Sequence, residues 1–130
     1  MRLLLDTQTW LWLQAARQRV NPEVMRLLVD PGNELLLSAA SSWEIAIKYA
    51  LGKLPLPLPP AEYVPDRLRR SGVAPLPVHH SHALHVASLP LHHRDPFDRL
   101  LVAQAQLDGL QVVTSDRAFS HYEVTVHWAS

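Results

Sequence analysis

The chain has 130 residues and a mass of 14.7 kDa, enough for one compact domain over 1–130 burying roughly two-thirds of its unfolded surface, and too little for two. An apolar share of 48%, a charged share of 18% and a mean hydropathy of -0.03 describe a globular protein, not a disordered tail. Zero cysteines exclude a disulfide framework and thiolate metal sites, and twelve basic residues against twelve acidic ones exclude bulk electrostatic attraction to nucleic acid or a membrane surface.

In chain order, the apolar run Leu3-Leu4-Leu5 over 2–5 predicts a buried first strand, stopped by Asp6-Thr7. Trp10, Leu11 and Leu13 follow at helical spacing. Asn21-Pro22-Glu23 combines a cap, a first-turn proline and an acid, predicting a helix over 22–29 that stops at Asp30-Pro31-Gly32. A second short strand is expected over 34–37. Ser41 and Ser42 offer caps for a helix through Trp43, Ile45, Ala46, Ile47 and Tyr49, closed by Gly52.

The stretch 54–60 carries Pro55, Pro57, Pro59 and Pro60, a density that resists helix and central strand and predicts an extended surface connection. A helix over 61–70, kinked near Pro65, ends at Gly72. The strand over 73–78 is confined to an edge by Pro75 and Pro77. A short helix over 81–88 stops before Pro90. Asp95-Pro96 then opens the clearest helix, 97–107, with Gly109 as its stop. Strands over 111–114 and 124–128 complete the chain, with a turn or short helix starting at Asp116. Strands alternating with helices predict an α/β fold with a mainly parallel sheet.

No stretch reads as a leader, since only three leucines separate Met1-Arg2 from Asp6. No apolar run approaches the roughly 20 residues of a membrane span. A cytoplasmic location without membrane association is therefore expected.

Asp6 and Asp116 each follow a predicted strand, and Glu44 and Asp98 each lie at the start of a predicted helix. In parallel α/β sheets these positions gather at one edge, where ligands bind. Two carboxylates ~5 Å apart repel by ~3 kcal/mol at an effective dielectric of about 20. A crevice of four therefore calls for a proton or a cation. Hard oxygen donors suit Mg²⁺ or Mn²⁺, and such an ion activates water against a phosphodiester. Each acid also has a local reading. Asp98 favours the positive helix end, Glu44 forms a capping box with Ser41, and Asp116 starts a turn. Asp6 is harder to dismiss in this way, because an acid set tight against a buried apolar strand usually has a role.

Several motifs carry a family resemblance over nearly the whole chain. They are Leu4-Leu5-Asp6-Thr7, the segment from Ser38 to Lys48 with Trp43-Glu44-Ile45, Leu51-Gly52-Lys53-Leu54, the segment from Leu91 to Ala105 with Asp95-Pro96-Phe97-Asp98-Arg99, and Val113-Thr114-Ser115-Asp116-Arg117-Ala118-Phe119. In this order they resemble the PIN-domain ribonucleases, and more narrowly the VapC-like toxins of toxin–antitoxin pairs. The resemblance implies a PIN-like fold, a parallel sheet flanked by helices. It implies an endoribonuclease dependent on Mg²⁺ or Mn²⁺, with catalytic and metal-holding acids at Asp6, Glu44, Asp98 and Asp116. It also implies a homodimer and a cognate antitoxin whose C-terminal segment blocks the site. By position, Thr114 is the residue expected to orient the attacking water. The family often has His where this chain has Gln8, and Asp95 reads as a helix cap.

Other features carry less. Among eight histidines, His82 and His85 share a helical face, but no second pair stands at zinc-ligand spacing. His92, His93 and Arg94, with Arg99 and Arg117, are candidates for RNA phosphate contact. Ten Arg against two Lys tilt mildly towards anion recognition. Arg67, Arg69 and Arg70 read as a solvated face, and Trp43 as core or dimer contact. The segment Trp10-Leu11-Trp12-Leu13 is expected to lack cover from its own domain, favouring an oligomer. A haloacid-dehalogenase-type phosphatase needs a second Asp two residues after Asp6, where Gln8 stands. An inactive or regulatory PIN-like binding domain is the alternative function, distinguished by lacking metal-dependent cleavage.

Overall fold

Leu3, Leu4 and Leu5 have no solvent exposure, which requires cover on both faces of the strand they form. The computed structural model describes all 130 residues and shows how that cover is built. The strand β1 (Arg2–Leu5) leads into the helix α1 (Thr7–Ala15), a 3₁₀ turn and α2 (Pro22–Val29), and then β2 (Glu34–Ser38). There follow α3 (Ala39–Ala50), α4 (Pro60–Ser71), β3 (Val73–Leu76), α5 (His80–His85), α6 (Pro96–Asp108), β4 (Gln111–Thr114) and β5 (Val126–Trp128). All five strands are parallel, in the order β3-β2-β1-β4-β5. The expected α/β class, with a parallel sheet flanked by helices, is what the chain forms.

The two-residue period of a strand divides the leucines between two cores. Leu3, Leu5, Leu35, Leu37 and Val113 face one cluster with Trp10, Val24, Leu28, Ile45, Tyr63 and Val64 from α1 to α4. Leu4, Leu36 and Val112 face the other, with Leu101, Val102 and Ala105 of α6 and with Phe119 and Tyr122. Pro75 lies in β3, an edge strand, where a missing amide costs least. Gly72 and Gly109 close α4 and α6 in the left-handed conformation, with φ of 68° and 67°, as Gly does most readily.

The structure corrects three expectations. Ser38, not Ser41 or Ser42, caps α3, its Oγ accepting the Ala40 amide at 3.0 Å. β2 runs directly into α3 with no loop, so the helix begins three residues earlier and Glu44 lies in its second turn. The capping box with Ser41 is therefore absent. Trp10 is fully buried and Leu13 nearly so, because α1 lays them on the sheet with the Trp10 ring edge-on to Tyr63 at 6.1 Å. That segment has its cover and carries no argument for an oligomer. The last strand covers 126–128, not 124–128, because Tyr122 and Val124 close a turn just before it.

Candidate functional site

The strand order reverses at β1, whose neighbours β2 and β4 run outward in opposite directions. In such sheets ligands bind beyond the carboxyl ends of the strands at this point, here between α1 after β1 and the turn Arg117–His121 after β4. Asp6 and Asp116 stand at these two strand ends.

Asp6 also caps α1, so its carboxylate is held in place by main chain. Its Oδ1 accepts the Thr9 amide at 2.8 Å, and its Oδ2 accepts the Thr114 hydroxyl at 2.5 Å. The Thr114 hydroxyl in turn accepts the Asp116 amide at 3.0 Å, tying the ends of β1 and β4 together. Burial pushes the Asp6 carboxyl upward, against the pull of its bonds to Thr114 and Thr9. Asp116 Oδ1 caps the 3₁₀ turn Arg117–His121 through the Ala118 amide, leaving Oδ2 facing the crevice.

Asp98 arrives from α6. Asp95 caps that helix through the Phe97 and Asp98 amides, and Pro96 fixes the first turn. Leu101, Val102 and Ala105 bury the same helix in the core, so Asp98 is held at the sheet edge with little freedom. Its carboxyl is pushed up to about 7, first by burial and then by the charges of Asp95, Asp6 and Glu44, with His93 pulling the other way. Glu44 is buried on α3, and its Oε2 accepts from Lys48 Nζ one turn later, at 2.7 Å. That bond is the main reason the Lys48 ammonium is pushed upward. The four acids anticipated from the sequence thus come from four elements. Asp6 and Glu44 are both close enough to raise Asp98, and Asp116 to raise Asp6.

His93 enters the same cluster. Its Nε2 lies 2.9 Å from Asp98 Oδ2 and 2.9 Å from Asp116 Oδ2. Ligand atoms of His93, Asp98 and Asp116 fall within 4.8 Å of one another. The sequence put His93 on the phosphate path, whereas its ring faces the carboxylates. Arg99 is also engaged elsewhere: its guanidinium donates to the carbonyls of Val86, Leu89 and Pro90 and to Tyr122 Oη. Bonds to the loop before α6 occupy it in place of a phosphate. Arg117 lies over the Trp128 ring at 4.2 Å and donates to the Ser130 carbonyl. His92 packs against Tyr122 and His121, while Arg94 is exposed.

Two partners went unread in the sequence. Lys48 was signalled by the Glu44-Lys48 spacing of four, which favours a pair on one helix face. The Tyr122 hydroxyl, which accepts the His92 and His93 amides at 3.2 and 2.9 Å, left no local signal. His82 and His85 bond to Asp108 and Gln106 of α6, a helix-to-helix contact instead of a zinc site. Arg67, Arg69 and Arg70 gather around Asp66.

Crowded carboxylates, one of them raised to about 7, fit a hard divalent cation. Asp6, Glu44, Asp98 and Asp116 offer the oxygens to hold it.

The PIN-domain family model matches residues 3–124. Ribonuclease VapC16 of Mycobacterium tuberculosis is 59% identical over 63 residues, which are 48% of this chain and 45% of that protein. The match thus spans about half the length of that curated relative. The fold is similar to that of VapBC2 from Rickettsia felis bound to a promoter DNA fragment, with a TM-score of 0.75, 14% identity and all of both chains covered. It is also similar to DNA-bound VapBC from Salmonella typhimurium, with a TM-score of 0.74, 18% identity, and 100% and 99% of the two chains covered. With the family model spanning nearly the whole length and the five-stranded parallel sheet in place, the chain belongs to the PIN-domain family.

Proposed function

We propose that this PIN domain is a metal-dependent endoribonuclease, the toxin of a toxin–antitoxin pair. One observation carries the reading: four acids from four separate elements converge at the switch point of the sheet, where burial first, and then the charges of Asp95, Asp6 and Glu44, raise Asp98 to about 7. The identity to a protein named as a ribonuclease supports RNA as substrate. Neighbours named as VapBC complexes support an antitoxin partner.

A Mg²⁺ or Mn²⁺ ion held by Asp6, Glu44, Asp98 and Asp116 would supply an activated water and neutralise charge on the scissile phosphate. Asp6 is presented to it by Thr9 and Thr114. Thr114 is fully buried, gives its proton to Asp6 and accepts from the Asp116 amide, so it acts on the site by positioning these two acids instead of facing a water. Lys48 donates to Glu44 Oε2 and fixes the direction of that carboxylate. Among the RNA-path residues, exposed Arg94 and His92 are the most accessible, with Arg117 at the rim over Trp128. His93 and Arg99 act from within the wall.

Trp43 and Ile47 of α3, with Leu51 just past its end, form an exposed row at a spacing of four, and a second copy of this chain is the occupant proposed for it. The experiment for the function is cleavage of purified total RNA by antitoxin-free protein with Mg²⁺, Mn²⁺ or EDTA. Discrete fragments that vanish with EDTA support the nuclease. Intact RNA from folded, metal-supplied protein contradicts it and favours a regulatory binding domain.

A further inference from the structure

The spacing of His93, Asp98 and Asp116, within 4.8 Å, invites a three-ligand site with the imidazole as nitrogen donor. The hydrogen positions argue otherwise. His93 Nδ1 lies 3.2 Å from the Asp95 amide nitrogen, and a backbone amide can only donate. Nδ1 therefore presents its lone pair, and the neutral ring carries its hydrogen on Nε2. Nε2 is the atom 2.9 Å from both Asp116 Oδ2 and Asp98 Oδ2. Bearing a hydrogen, it donates to the carboxylates and has no lone pair to give a metal.

We propose that His93 holds the Asp98–Asp116 pair as a hydrogen-bond donor and gives way to the cation, instead of serving as one of its ligands. This inference rests on the reading of the acids as a cation site.

The surroundings favour displacement over a change of tautomer. The backbone on both sides of the ring is fixed: the His92 and His93 amides donate to Tyr122 Oη, and Arg99 holds the Pro90 carbonyl. Asp95, whose amide meets Nδ1, is locked as the cap of α6. Moving the hydrogen to Nδ1 would set two donors face to face. The ring itself has an exit, since the His93 side chain is 20% exposed and can turn towards solvent about its own side-chain bonds. In the present arrangement the polar N–H points its positive end at both carboxylates, so it competes for their charge with any cation they would hold. His93 is thus a positioning residue that keeps two repelling acids together and competes with the ion.

Titration calorimetry of Mg²⁺ and Mn²⁺ into wild type, His93→Ala and His93→Gln tests this without RNA. The competing bond to charged acceptors is lost in His93→Ala, so both ions are expected to bind about tenfold tighter or more, with His93→Gln between. Affinity falling tenfold in both variants would overturn the proposal and identify a ligand. Nitrogen NMR of the EDTA-treated wild type reads the ring directly: a hydrogen on Nε2 supports the proposal, and one on Nδ1 overturns it. This holds even if His93→Ala fails to fold. Metal bound by neither wild type nor variants overturns both the proposal and the nuclease reading. Metal binding that follows the expected order without any RNA cleavage overturns only the latter.

Discussion

Asp6 is at once a helix cap, a strand terminus and a proposed metal ligand, and Thr114 is what reconciles these duties. Its hydroxyl approaches Asp6 Oδ2 to 2.5 Å while burial opposes the charge. Thr114→Val keeps the shape and removes the donor. The expected result is a loss of about tenfold in metal affinity or cleavage, as for other groups that orient a ligand, with circular dichroism unchanged. Wild-type affinity and rate in Thr114→Val would show that the hydrogen bond is incidental. Asp98 gives a pH prediction. Its folded carboxyl titrates at about 7 against an ordinary 3.8, so the folded state holds this proton more tightly than the unfolded one. Its contribution to stability is fully present below the ordinary value and is lost as pH rises towards 7. A cation held there would replace the proton. The rise in melting temperature on adding Mg²⁺ should therefore be larger at pH 8 than at pH 5.5. Equal shifts at the two pH values would contradict the placing of Asp98 against the ion.

At the scale of elements, α6 and α3 carry the site in different ways. Asp95 ends α6 with two amide bonds and also raises Asp98 by its charge. Asp95→Ala should cost about 1 kcal/mol of stability by denaturant unfolding and lower the Asp98 titration seen by carbon NMR. An unmoved Asp98 would show that Asp95 acts as a cap alone. Along α3, Ile47→Glu with Leu51→Glu should shift light-scattering mass from dimer to monomer. A double variant that stays dimeric would remove the row from the interface. Much of this was legible in the chain: Asp95-Pro96 and Gly109 bound α6, and three leucines marked β1. The start of α3 was not, because Ser38, Ser41 and Ser42 are equally good caps and only the end of β2 selects the first. The place of His93 was not legible either. It depends on Tyr122, which a separation of 29 residues hides from any local pattern.

For the whole molecule, the parallel order β3-β2-β1-β4-β5 brings together acids that are far apart in sequence. Asp6 and Asp116 come from the two strands at the switch point, and Glu44 and Asp98 from helices packed on the sheet's two faces. No two of them share an element, so the fold alone sets their spacing. Local chemistry explains how each acid is held, but only the topology explains why all four meet. The most direct test compares Asp6→Asn, Glu44→Gln, Asp98→Asn and Asp116→Asn with wild type on one RNA in Mg²⁺, each variant first shown to be folded. One shared cation site predicts that every amide loses about a hundredfold or more in cleavage. Two variants cleaving at the wild-type rate would contradict a single four-acid centre.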